Sequence, residues 1–157
     1  MNEELSDAIM ESVHDIFHGF LALEVFPGEE DPQPAETTRD ANEVATVVSF
    51  CGVLRGAVVL RTSQPTALIL AGALSGKSLG QLSGEALDLL GELTDLIASG
   101  MRTRLSSHGE IRLTPPTMVV GQGYTLRNAR IFSHVRQSFQ VNDGHFVVDC
   151  FFLKDFS

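Results

Sequence analysis

The strongest constraint on this chain lies in residues 83–108, where apolar side chains recur at helical spacing on one side only. Projected at about 100° per residue, Ala86, Leu89, Leu90, Leu93, Leu96, Ile97, Gly100 and Met101 share one broad face, and Glu85, Asp88, Glu92, Asp95 and Ser99 project the other way. A stripe this wide predicts a helix docked on a core. Glu85 and Asp88 in its first turns suit the positive end of the helix dipole, and the pattern stops at His108-Gly109. Acids three and four apart have Cβ atoms about 5–6 Å from one another, and each like-charged pair costs a few tenths of a kcal/mol. The first basic residues of the segment are Arg102 and Arg104. Either the row is a solvated face, or something outside the helix gains from it.

The other segments say what this helix packs on. Residues 3–21 place Leu5, Ile9, Val13, Ile16, Phe17 and Phe20 at helical spacing, with Asp7, Glu11, His14 and His18 on the opposite side, which predicts a second docked helix. Residues 22–42 are rich in Pro, Gly and acids and read as a loop. The runs 43–50 and 53–62 are β-branched and meet at Cys51-Gly52, a hairpin. A short helix is predicted over 65–74, with Ser63 as its N-cap and Pro65 in its first turn. After the long helix come Pro115-Pro116, a short apolar run at 117–120 and Gly121-Gln122-Gly123. A hairpin closes the chain, with strands at 130–141 and 145–153 around Asn142-Asp143-Gly144. Helices and hairpins in blocks, without βαβ alternation, predict an α+β domain over residues 1–157, with a largely antiparallel sheet of about six strands and long helices on one face. The closing run 146–153 is long and apolar. An uncovered edge of that kind tends to be paired, so a homodimer through strand edges is expected.

Composition narrows the function classes. A formal charge of −9, with the few Lys and Arg scattered along the chain, repels phosphate backbones and anionic headgroups, so no nucleic-acid or membrane partner is expected. The longest apolar run, 67–74, is too short to span a bilayer, and the N-terminus is acidic where a secretory signal is basic. Cys51 and Cys150 sit singly inside apolar runs, which predicts buried reduced thiols and a cytoplasmic protein. His14 and His18 are one helical turn apart, near Glu11, but no further ligand is evident and a solvated face explains them. Gly121-Gln122-Gly123 lacks the Lys and Ser/Thr of a phosphate loop, and no Gly-x-Ser-x-Gly elbow occurs.

The segment Asp88-Leu89-Leu90-Gly91-Glu92-Leu93-Thr94-Asp95, then Leu96-Ile97-Ala98-Ser99-Gly100, then Pro115-Pro116-Thr117-Met118-Val119-Val120-Gly121, resembles the CheX and CheC group of bacterial chemotaxis phosphatases. That group's signature is Asp or Ser, three residues, Glu, two residues, Asn, and a Pro after the helix. The hairpins around Gly52 and Gly144 also look like the group's, so the resemblance runs from about Glu43 onward. It implies a CheC-like fold and hydrolysis of the aspartyl phosphate of a CheY-like response regulator, with the long helix laid across the regulator's active site. Glu92 would bind the regulator's lysine. Asp95 stands where the group has Asn, the residue that orients the attacking water. Glu85, Asp88 and Ser99 on the same face would touch the partner. The resemblance implies no cofactor of the chain's own, the regulator bringing its magnesium. An amide donates to and accepts from a water, whereas an ionised carboxylate only accepts. Asp95 therefore leaves two readings open: a phosphatase using the acid as a general base, and a catalytically silent adaptor that binds receiver domains or chemotaxis and flagellar-switch proteins.

Overall fold

The computed structural model describes residues 1–21, 23–28, 43–121, 133–142 and 144–154. Helix α1 (Asn2–Ile16) runs into a turn of π-helix (Phe17–Leu21) and a two-residue strand β1 (Phe26–Pro27). Strands β2 (Glu43–Gly52) and β3 (Leu54–Ser63) precede α2 (Gln64–Ser75) and the long α3 (Gly84–Arg104). A 3-10 turn (Ser106–His108) leads to β4 (Ile111–Leu113), β5 (Thr117–Gly121), β6 (Ser133–Val141) and β7 (Gly144–Lys154).

The strands form one seven-stranded sheet in the order β1-β6-β7-β3-β2-β4, with β5 also on β2, and each of these pairings is antiparallel. Alternation along the strands sends Val44, Thr46, Val48 and Phe50 of β2 to one face. The register carries Val58, Leu60 and Thr62 of β3, and Phe146, Val148, Cys150 and Phe152 of β7, to the same face. The helices cover it. Leu5, Ile9 and Val13 of α1, Leu70 of α2, and Leu90, Leu93 and Ile97 of α3 are all at most 1% exposed in one core cluster. Each such side chain contributes about 1.5–3 kcal/mol through burial. Helices α1 and α3 cross closely at Gly100, where a Cβ would stand 2.8 Å from Ser12 Oγ. Arg104 ties the crossing, donating to Glu11 Oε2 at 3.0 Å and to Asp15.

The α+β class, the antiparallel sheet and the helix-covered face match the expectation from sequence. Ser63 caps α2, its hydroxyl accepting from Thr66 N, and Asn142 (φ 51°) turns the closing hairpin onto the Val141–Gly144 pair. Five details differ. The long helix stops at Arg104, and residues 106–108 tighten into the 3-10 turn. Phe20, assigned to the apolar side of α1, is 68% exposed, because the wider winding of the π-helical turn shifts the phase of the helix. Cys51 is exposed: alternation after Phe50 puts it on the face away from the helices. Cys150 is buried, and burial together with Asp149 pushes its thiol up to about 12. Strand β7 lies between β3 and β6, so the apolar closing run is interior and the edge from which a dimer was expected is already filled. The sheet also gains β1, inside the segment read as loop, where Phe26 pairs with Gln140 and Pro27 with Phe139. The rest of that loop (22 and 29–42), Gln122-Gly123, Asp143 and the predicted strand start at 130–132 lie outside the described residues.

Candidate functional site

Helix α3 is 21 residues long, about 30 Å at 1.5 Å per residue. Its start is fixed by Ser83, whose hydroxyl accepts from Ala86 N at 3.3 Å, and its charges suit the dipole, with Glu85 in the first turn and Arg102 and Arg104 in the last. Leu90, Leu93, Ile97 and Met101 are buried, while Leu89 and Leu96 sit half-buried at the margin of the core.

Beside this helix runs the segment between β4 and β5. Strand β4 pairs with one end of β2 (Phe50↔Leu113) and β5 with the other (Val47↔Thr117, Thr46↔Met118). Between them Thr114 is pinned to Ser49 by its backbone N–H, 2.9 Å from Ser49 O, and by its hydroxyl, 3.1 Å from Ser49 N. The Pro115-Pro116 arch is thereby held against α3. The approach is close: a Cβ on Gly91 would meet Pro116 Cβ at 3.2 Å and Met118 Sδ at 3.4 Å. A glycine inside a helix costs about 1 kcal/mol relative to alanine, and here it lets the strand segment come up to the helix.

Between the two elements lies an open groove of about 470 Å³. Asp88, Gly91, Glu92 and Asp95 line it from the helix, and Leu113, Thr114, Pro115, Pro116 and Met118 from the strands. Asp88 and Glu92 are exposed and Asp95 is half-buried. Among the described residues none that lines it is basic, so three carboxylates rim a floor of Pro, Leu and Met. Such a groove can accept an ammonium or guanidinium from another molecule, and a carboxylate in it can accept a proton from water.

The structure thus gathers Asp88, Glu92 and Asp95 and leaves two sequence-predicted residues outside. Glu85 pairs with Lys77 from the α2–α3 connection, Nζ to Oε1 2.7 Å. Both side chains are more than half exposed, and a surface pair of this kind is worth about 0–1 kcal/mol. Ser99 is half-buried, its carbonyl accepting from the Thr103 hydroxyl at 3.1 Å, and it does not line the groove. Sequence reasoning gave no site role to Gly91, Thr114 or Met118; the isolated glycine among the acids was the one local signal of a close approach. His14 and His18 stack with ring centroids 6.1 Å apart beside Glu24. Among the described residues no group of three or more His, Cys, Asp or Glu side chains is arranged to hold a metal ion, and no helix is long and apolar enough to cross a membrane.

Residues 44–140 match the family model described as chemotaxis phosphatase CheX. This stretch holds α3, the groove and nearly all of strands β2 to β6. The chain belongs to the CheX family. A protein named CheY-P phosphatase CheX from Thermotoga maritima is 25% identical over 130 residues, covering 82% of this chain and 83% of that one. The fold matches the crystal structure of chemotaxis protein CheX from Vibrio vulnificus, with a TM-score of 0.80 and 21% identity over 97% of this chain and 98% of that one. It also matches the CheX-CheY-BeF3-Mg complex from Borrelia burgdorferi, with a TM-score of 0.69 and 20% identity over 96% of each chain.

Proposed function

We propose that this CheX-family chain hydrolyses the aspartyl phosphate of a CheY-like response regulator in the cytoplasm, presenting the acidic face of α3 to the regulator's active site. The observation that carries the reading is the placement of Glu92 and Asp95 on one outward face of a helix whose other face is locked into the core, beside a groove open to a partner. The names of the Thermotoga relative and of the Borrelia complex support the choice of substrate.

In this reaction a water oxygen attacks the phosphorus, the bond from phosphorus to the regulator's aspartyl oxygen breaks, and inorganic phosphate and the free carboxylate leave. The regulator brings the acyl phosphate and its magnesium. This chain supplies position and charge. Glu92, exposed at the groove rim, binds a cationic side chain of the regulator. Asp95, half-buried between helix and arch, contacts the attacking water and, as an acceptor only, takes its proton. Asp88 extends the acidic surface one turn toward the helix start.

The test is whether a catalytic amount of the chain speeds loss of phosphate from a phosphorylated receiver domain beyond the receiver's own rate. Glu92→Ala is expected to lower rate and affinity together. With Asp95 as the base, Asp95→Asn lowers the rate about 10²-fold. A faster Asp95→Asn enzyme would instead show that the acid hinders the water. The carboxylate at position 95 also favours a second reading, since negative charge beside a phosphoryl group opposes turnover. A wild-type chain that binds the receiver without accelerating hydrolysis is an adaptor.

A further inference from the structure

The face of α3 that enters the core carries a side-chain hydrogen bond to the sheet that the apolar packing does not require. Thr94, 0% exposed, and Thr46 of β2, 1% exposed, meet through their hydroxyl oxygens beneath the helix. Thr94 also donates to Leu90 O one turn back, at 2.9 Å. Thr94 directly precedes Asp95 and follows Glu92 by two residues. On the sheet side, Thr46 is the cross-strand partner of Met118, whose sulfur packs against Gly91 in the groove. The buried pair therefore joins the helix that bears the acids to the strand pair that forms the groove's other wall.

Apolar contacts between a helix and a sheet are non-directional and tolerate small rotations of the helix about its axis. A buried hydrogen bond does not, because breaking it strands the Thr46 hydroxyl away from water. At the outer radius of a helix, about 5–6 Å, a rotation of only 10° moves a side-chain end by about 1 Å. A misplacement of about 1 Å at a reacting centre costs about 10²-fold in rate. We propose that the Thr46–Thr94 hydroxyl pair sets the rotation of α3, making both residues positioning residues for Glu92 and Asp95. The proposal deepens the phosphatase reading and rests on it for the kinetic part of its test.

Three variants separate positioning from plain stability. Thr94→Val keeps the shape and removes one hydroxyl, and Thr94→Ser restores the hydroxyl. Thr46→Val with Thr94→Val removes both polar groups together, a change that leaves no orphan and is close to neutral for stability. At saturating phosphorylated receiver, the single and double valine variants are expected to lose about 10- to 100-fold in rate. The half-saturating receiver concentration should move by less than about twofold, and the serine variant should return most of the rate. A double-valine variant that melts like wild type and turns over like wild type overturns the proposal, since the loss in the single variant then came from the stranded hydroxyl. The geometric readout does not depend on hydrolysis. A crystal structure of the double-valine variant is expected to show the Asp95 carboxylate shifted by about 1 Å or more relative to Pro116, and a carboxylate in its original place rejects the assignment. A wild-type chain that fails to accelerate dephosphorylation defeats the phosphatase reading alone; the crystal structure still decides the role of the threonines.

Discussion

Two groups of acids lie on opposite sides of this molecule and obey opposite rules. On α3, Asp88, Glu92 and Asp95 face outward, and among the described residues no cation lines the groove beside them. On the sheet face turned away from the helices, Asp149 is 0% exposed and accepts from His134 Nε2 at 2.7 Å and from Arg136 Nε at 2.8 Å. Arg61 Nη1 stands 3.5 Å from the same carboxylate, with Glu43 at 3.4 Å from Arg61 Nε. His134 is held from its other side by Phe151, 4.7 Å between ring centroids. A buried carboxylate is tolerated because it is paired, and removing its partners costs far more than making the pair gains. An exposed carboxylate row needs no partner to survive, and its repulsion is small. The contrast separates charge that the fold depends on from charge that is free to act on something else.

The largest test of that contrast is removal of the buried member. Asp149→Ala takes the shared acceptor away from His134, Arg136 and Arg61, and is expected to cost about 3–5 kcal/mol, read as a lower urea midpoint. A loss below about 1 kcal/mol would mean that the cluster is no more structural than the surface row.

Acid sharpens the same comparison. Burial pushes the Asp149 carboxyl up, but hydrogen bonds from His134 and Arg136, together with the charges of those two groups, outweigh it and hold the carboxyl below the usual range. A depressed folded-state value contributes stability that is fully present above the unfolded carboxylate's value of about 3.9. That stability is lost as pH falls through the folded one. The wild-type unfolding free energy should therefore fall on acidification below about pH 4. Asp149→Asn should flatten that part of the curve, and equal slopes for the two proteins would assign the acid sensitivity to other carboxylates.

What the sequence reveals follows the same division. The two faces of α3 are legible because a 3.6-residue period survives whatever the helix packs on, and the caps at Ser63 and Ser83 act within three residues. The buried cluster is hidden. Asp149 sits inside a run that reads as uniformly apolar, and its partners come from β3 and β6, brought alongside only by the register of the sheet. The groove is hidden for the same reason: β5 must leave α3, return to β2 and place Met118 beside Thr46 before Pro116 can meet Gly91. Local patterns give the acids and long-range pairing gives their surroundings.

Gly91 tests the join between the two. Gly91→Ala gains about 1 kcal/mol of helix propensity while pressing a methyl against Pro116 and Met118, which stand at 3.2 and 3.4 Å. A near-cancellation is expected. Gly91→Leu cannot be absorbed in the same way and should cost about 1–3 kcal/mol. It also fills the groove, so binding of the receiver should weaken by more than the loss of stability explains. A leucine variant that binds normally would move the partner's footprint off the groove.

The smallest effect expected is the most informative about the row itself. Glu92 is exposed and lies one turn from both Asp88 and Asp95 on the same helix face. Glu92→Gln keeps the size of the side chain and removes two like-charge contacts, each worth a few tenths of a kcal/mol. The variant should be as stable as wild type or slightly more so, within about 0.5 kcal/mol. The difference should shrink as salt rises from 0.01 M to 1 M, because the Debye length contracts from about 30 Å to about 3 Å. If Glu92→Gln instead destabilises the chain by more than about 1 kcal/mol, then Glu92 has a structural partner and the division between the two groups of acids breaks at that residue. With stability unchanged, any loss of receiver binding in this variant reports on the contact alone.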